Sequence, residues 1–407
     1  MSSNWLSLDE ALSQALNAVA PLRETEHVNV FEASNRVLAQ DVIASCDVPP
    51  WDNSAMDGYA VNLNACNTDT PLEIQGVITA GMEARTPLAQ GKAFKIMTGA
   101  PLPPNADAVV MIENTAQRDG DDKKVYIDVP PKSGENIRRR ANDIAKGDRL
   151  IQQGTRLNAE HLMLIASQGT DSVAVYRKLK VGIVATGSEL AAPGTVRGSN
   201  QIFESNRVGL HSILGEQNVS IVDFGIVEDD EASLKQLFTE ASTKVDIMVS
   251  SGGVSVGDAD YVKDIIDTLG TIDFWKIAVK PGKPFALGKI GETMFCGLPG
   301  NPVSSFVTAK LLVLPIIKRM QGELGSTAPL TLNATITCDI KRRAGRRDFQ
   351  RATMTKTPQG TWEVTPFKSQ SSGVMTSITS ANCFMVIRED ISSLSKGDIV
   401  EVMPFHL

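Results

Sequence analysis

Over residues 179 to 321 the apolar positions alternate between two spacings. Lys180 to Ala185, Val219 to Val227 and Val245 to Ser250 are short and mostly apolar, as buried strands are. Between them, Asn206 to Glu216 and Glu231 to Thr243 carry apolar residues three and four apart. That is the helical period, and Ser205 and Asp230 stand where N-caps belong. Tyr261 to Leu269 reads as a further helix, followed by extended segments at Asp273 to Val279, Phe285 to Gly288 and Thr293 to Cys296. Pro302 opens a last long helix that ends near Met320. Such alternation predicts a doubly wound, mostly parallel sheet with helices packed on it.

The flanks follow other rules. Leu330, Leu332, Ala334, Ile336, Cys338 and Ile340 alternate with polar residues, and turn signals at Pro358-Gln359-Gly360 and Lys396-Gly397-Asp398 precede strand-like runs. Residues 326 to 407 are therefore expected to form a small β domain. At the other end, Leu8 to Ala20 has helical spacing, with Ser7 as cap and Glu10 as its capping-box partner. Asn158 to Gly169 predicts another helix. Between them, residues 48 to 139 are β-rich and heavy in Gly and Pro. The expected division is a mixed α/β domain from 1–47 with 140–178, the β-rich block 48–139 inserted into it, a doubly wound domain 179–325, and the terminal domain 326–407.

Composition narrows the class. A chain of 407 residues exceeds one ordinary core, while 42% hydrophobic and 21% charged residues are globular values. The net charge of −7 argues against nucleic acid or a membrane surface as partner. Leu311 to Ile317, the most apolar run, is far too short to span a bilayer. Met1 to Glu10 is polar and does not read as a secretory signal. Five scattered cysteines and four distant histidines offer no zinc spacing and no disulfide framework, so a cytoplasmic location is expected.

The unusual loops all follow predicted strands, the ends where ligands collect in such sheets. They are Thr186-Gly187-Ser188-Glu189, Glu228-Asp229-Asp230, Ser250 to Asp260, Lys280 to Pro284 and Leu298 to Pro302. The Gly252-Gly253 turn offers bare N–H groups to an oxyanion beside a helix start. Asp258 and Asp260 at its far end would repel phosphate unless a cation intervened. Alone, Asp260 reads first as a helix cap, and Glu189 as an unremarkable surface acid. Lys276, Lys280 and Lys283 lie around a proline-stiffened turn, which suits holding ammonium groups against oxyanions. Asp57 before a strand and Thr98 in a tight turn are further candidates, although Asp57-Gly58 also reads as a hairpin signal. Arg138, in an arginine run, reads as a solvated face or an anion contact, as do Arg342, Arg343, Arg346 and Arg347. No Walker loop and no nucleophile triad is present.

Six motifs in order carry a family resemblance. They are Ser-Ala-Met-Asp-Gly-Tyr-Ala (54–60), Met-Thr-Gly-Ala-Pro (97–101), Ala-Thr-Gly-Ser-Glu-Leu (185–190), Ser-Ser-Gly-Gly-Val-Ser-Val-Gly-Asp-Ala-Asp-Tyr (250–261), Lys-Pro-Gly-Lys-Pro (280–284) and Gly-Leu-Pro-Gly-Asn-Pro (297–302). Together they resemble the MoeA proteins, the molybdopterin molybdenumtransferases, related to the C-terminal domain of gephyrin. The resemblance implies a MogA-like doubly wound domain and a C-terminal β-barrel. It implies a reaction in which adenylylated molybdopterin and molybdate give molybdenum cofactor and AMP with Mg²⁺. Glu189, Asp229, Asp260, Lys276, Lys280, Pro299 and Pro302 would line the cleft, with Gly252, Gly253 and Ser255 at the substrate and Glu189 and Asp260 at the metal. Asp57 and Thr98 would come from the second subunit of a homodimer, and Arg138 and Asp143 are weaker carry-overs. Ser188 departs from the family, where many relatives carry Asp. Implied partners are a molybdopterin adenylyltransferase and molybdoenzyme chaperones. The rival activities are that adenylyltransferase reaction and a non-catalytic molybdopterin-binding scaffold.

Overall fold

In a computed structural model, residues 5–118, 120–253, 261–325 and 328–406 are described. The chain divides into two compact units: Met1–Gln40, Gln153–Asn158 and Ser172–Leu407 form one, Asp41–Gln152 and Ala159–Asp171 the other.

In the larger unit a six-stranded sheet runs in the order Ser220–Val227, Lys180–Thr186, Ile247–Ser251, Thr293–Leu298, Pro284–Ile290, Gly270–Lys276. The first four strands are parallel, and the last two join by antiparallel pairing. The expected parallel sheet therefore ends in an antiparallel pair at one edge. The reason is local: Gly291 with φ +57 turns the chain between Pro284–Ile290 and Thr293–Leu298, a link too short for a crossover helix. Successive strand residues go to opposite cores. Ile183, Val249 and Cys296 pack with the first helix and the final helix, while Val184, Met248 and Phe295 pack with helices Glu231–Ala241 and Tyr261–Leu269. Both faces are covered, which is why the strands read as continuous apolar runs rather than alternating ones.

The caps are mostly as expected. Ser7 and Glu10 make the full capping box of helix Leu8–Asn17, and Asp230 accepts from the N–H groups of Ala232 and Ser233. Ser205 makes no cap bond; instead Glu204 accepts from the Arg207 N–H at 2.7 Å. The long last helix is α over Pro302–Thr308, π over Ala309–Val313 and α again over Leu314–Met320. Pro315 has no N–H and its ring crowds the preceding turn, and the wider π segment just before it absorbs both effects.

Five C-terminal strands close a barrel: Arg347–Lys356, Trp362–Pro366, Leu332–Ile336, Ile399–Pro404, Cys383–Ile387 and back to Arg347–Lys356. One short helix, Thr376–Thr379, interrupts the otherwise all-β pattern. Val279–Lys280 adds to this sheet, pairing in parallel with Arg347 and Asp348. That pairing brings the Lys280 turn against the barrel.

In the smaller unit the sheet order is Ala108–Met111, Gly58–Val61, Lys92–Ile96, Leu72–Ile78, Lys124–Ile127, Thr115–Ala116. Its core includes Tyr59, Val61, Leu72, Val110, Val125 and Ile127. Among the described residues no helix is long and apolar enough to cross a membrane.

Candidate functional site

The C-terminal strand ends and the barrel enclose a cavity of about 1010 Å³. That is at the upper end of small-molecule sites, roughly 300–1,000 Å³. Its walls differ in chemistry.

One wall is amide and carboxylate. Gly252 (φ +96) and Gly253 (φ +70) both adopt the left-handed backbone, and Cβ atoms there would sit 2.6 Å from the Thr186 carbonyl oxygen and from Val262 Cγ2. Only glycine fits this turn, so its backbone faces the cavity uncovered. Asn206 ties it down: its Nδ2 donates to Ser251 Oγ and to the Gly300 carbonyl, both at 2.7 Å. Gly252 N–H donates to the Leu298 carbonyl at 3.1 Å. No local pattern points to Asn206, since its partners lie 45 and 94 residues away.

Glu189 and Asp229 line the same wall. The Asp229 carboxyl is held above its usual range, first by partial burial, then by the negative charges of Glu189 and Asp230. Two polar atoms of the cavity lining are buried without a hydrogen-bond partner, Thr186 Oγ1 and Glu204 Oε2. Glu204 is only 3% exposed, and Oε2 lies 3.5 Å from Arg207 Nε. Such orphaned groups are costly to keep unless a ligand serves them.

The opposite wall is cationic and hydroxylic. Lys280, Lys283, Arg346, Ser371 and Ser372 line it. Lys280 Nζ stands 3.6 Å from Asp348, a fully buried acid. Among the described residues Lys283 and Arg346 have no carboxylate partner and instead sit over the Trp5 ring. The serines belong to a loop held by Arg351, which is wholly buried and donates to the Ser371 carbonyl at 3.1 Å and to Ser377 Oγ at 3.0 Å. Pro299 and Pro302 shape the floor.

The other candidates fall elsewhere. Lys276 ends its strand exposed and does not line the cavity. Ser255, Asp258 and Asp260 lie outside the described residues. Among the described residues no cluster of three or more acids, His or Cys could hold a metal. In the smaller unit Asp57 and Thr98 meet, because the antiparallel pair Gly58–Ile96 puts both at one end. Thr98 donates to Asp57 Oδ1 from its N–H at 2.7 Å and from Oγ1 at 2.8 Å. Those bonds, the N–H first, hold the Asp57 carboxyl below its usual range. Asp57-Gly58 is not a hairpin turn: Gly58 starts a strand, and a Cβ there would meet the Val110 carbonyl oxygen at 1.9 Å. Arg138 and Asp143 are exposed in the same unit, away from that pair in sequence.

Three family descriptions account for nearly the whole chain. The MoeA N-terminal region (domains I and II) matches residues 6–169, a probable molybdopterin binding domain 182–319, and the MoeA C-terminal region (domain IV) 333–405. A molybdopterin molybdenumtransferase of Haemophilus influenzae is 40% identical over 402 residues, 98% of this chain and 99% of that protein. The chain belongs to the molybdopterin molybdenumtransferase family. It is an enzyme, a transferase of molybdenum cofactor biosynthesis. Two solved MoeA structures from Pyrococcus horikoshii share the fold. One has a TM-score of 0.81 at 31% identity, covering 99% of this chain and 100% of its own; the other 0.84 at 28%, covering 98% and 100%. The residues that line the cavity all lie within the stretches matched by the molybdopterin-binding and C-terminal regions.

Proposed function

We propose that this chain transfers molybdenum from molybdate to adenylylated molybdopterin, releasing AMP and the molybdenum cofactor. The observation that carries the reading is one cavity with two unlike walls. The amide and carboxylate wall suits a phosphate ester with its cation; the lysine, arginine and serine wall suits a tetrahedral oxyanion. An enzyme that brings molybdate to a phosphate-activated pterin needs both at once.

Mg²⁺ fits the first wall. Glu189 and Asp229 repel each other without a neutralising partner among the described residues, and Mg²⁺ is usually held by one or two carboxylates plus substrate phosphates. Bound there, it would neutralise charge developing on the phosphate. The Gly252-Gly253 N–H groups would hold phosphate oxygens, and Lys280, Lys283 and Arg346 would orient molybdate. By the family resemblance, Asp260 would share the metal with Glu189. Asp57 and Thr98 would be supplied by a second copy of the chain in a homodimer.

A single-turnover assay tests this with adenylylated molybdopterin and Mg²⁺, with and without molybdate. Molybdate-dependent AMP release is the expected result. Accumulation of adenylylated product from ATP and molybdopterin would instead identify the preceding adenylyltransferase reaction, and binding without AMP release a scaffold.

A further inference from the structure

The N-terminal segment reaches the cationic wall. Leu6 pairs in parallel with Ile277, its N–H donating to the Lys276 carbonyl at 3.0 Å and its carbonyl accepting from Ala278 at 2.8 Å. A few residues on, both Asp9 oxygens accept from the Arg347 guanidinium at 3.1 and 3.0 Å. The half-buried Trp5 is thereby fixed between the Lys280–Pro284 turn and the loop that carries Arg346. Lys283 Nζ lies 4.9 Å from its ring centroid and the Arg346 guanidinium carbon 5.9 Å. Both distances are within reach of a cation–π attraction.

The geometry points to Trp5 as a positioning residue for the oxyanion, acting through Lys283 and Arg346. Long cationic side chains without a carboxylate partner sample many rotamers, and ordering them on ligand binding costs affinity. An aromatic face holds them without neutralising them, because it satisfies the cation yet leaves its charge available to an incoming anion. A carboxylate in the same place would compete with the substrate. The inference deepens the proposed function and rests on it: Trp5 sets the affinity for molybdate and leaves the pterin side untouched.

The test measures the molybdate KM and the adenylylated-molybdopterin KM in the AMP-release assay on the full chain. Trp5→Ala is expected to raise the molybdate KM about three- to tenfold. The pterin-substrate KM stays constant, and Trp5→Phe restores most of the loss. Lys283→Met with Arg346→Met raises the molybdate KM further, and adding Trp5→Ala to that pair changes nothing more. Should Trp5→Ala unfold the protein by circular dichroism, Trp5→Leu keeps the bulk and removes the π face. An unchanged molybdate KM in the Trp5 variants, an equal rise in both KM values, or a further rise on the double-variant background overturns the role of Trp5. A double variant with the molybdate KM of the unaltered protein overturns the oxyanion-wall reading itself.

Discussion

Two acidic corners of this protein have opposite electrostatics. Asp57 in the smaller unit is satisfied by its own neighbour, with two donors of Thr98 on one oxygen holding its carboxyl low. The Asp229 carboxyl at the cavity is pushed up by partial burial and then by the charges of Glu189 and Asp230. The cavity lining also holds an unmet hydroxyl, Thr186 Oγ1, and Glu204 Oε2 has no hydrogen bond and only a long ion pair to Arg207. Internal satisfaction fixes a charge in place, whereas shared dissatisfaction leaves room for a ligand to complete the site. The comparison therefore assigns different work to the two corners, a fixed anion in one and a ligand-completed site in the other.

The largest effect is expected where that completion fails. Glu189→Gln should lower AMP release about 10²- to 10³-fold at saturating substrates, as loss of one electrostatic stabiliser does. Near-normal kcat in Glu189→Gln, measured over a Mg²⁺ titration, would remove the acid wall from the chemistry. Next comes the loop that bears the serines. Arg351→Met strips the buried donor from the Ser371 carbonyl and Ser377 Oγ and should cost about 2–3 kcal/mol in denaturant unfolding. An unchanged midpoint would mean the loop is held by its other contacts, such as the reciprocal bonds between Gln370 and the Arg351 backbone.

Asp57 should give a smaller effect, about a tenfold loss of turnover in Asp57→Asn, with the fold intact because the group is exposed. The informative measurement is complementation. If a second copy supplies Asp57, mixed dimers of Asp57→Asn and Glu189→Gln chains contain one intact site. An equal mixture then recovers about a quarter of normal activity. Activity no higher than that of the two variants assayed separately would place Asp57 and Glu189 in the same chain's site.

How much of this was legible depends on how far apart the interacting residues are. Strands buried on both faces announce themselves as apolar runs, and the capping box of Ser7 and Glu10 spans three residues. The antiparallel edge is not legible, because the direction in which Pro284–Ile290 and Gly270–Lys276 pair is set by the partner strand and leaves no mark on local composition. The glycine turn and the acidic loops could be read as strand-tip features. Asn206, Trp5 and Arg351 could not: each matters through partners that only folding brings near. The Lys276 side chain shows the converse, a motif-like lysine that the strand leaves exposed away from the cavity.

The smallest effect separates the corners most directly. Asp229 carries a raised carboxyl, so its charged form is penalised in the folded protein. A carboxyl raised on folding destabilises fully above its folded-state pKa, and the penalty is gone below its ordinary unfolded value. Asp229→Asn should therefore raise the apo Tm at neutral pH, by roughly a degree for a group that is only partly buried. The gain should shrink as pH falls through the carboxylate range, while turnover drops. Asp57 has the reverse sign: its lowered carboxyl stabilises above the ordinary carboxylate pKa and loses that contribution as pH falls through the folded-state value. Asp57→Asn should accordingly lower the Tm at neutral pH, or leave it unmoved, but not raise it. Thermal scans of both variants from neutral to acidic pH check the pair. Matching signs would mean that the two carboxylates share one environment, and the division of work between the corners would fall.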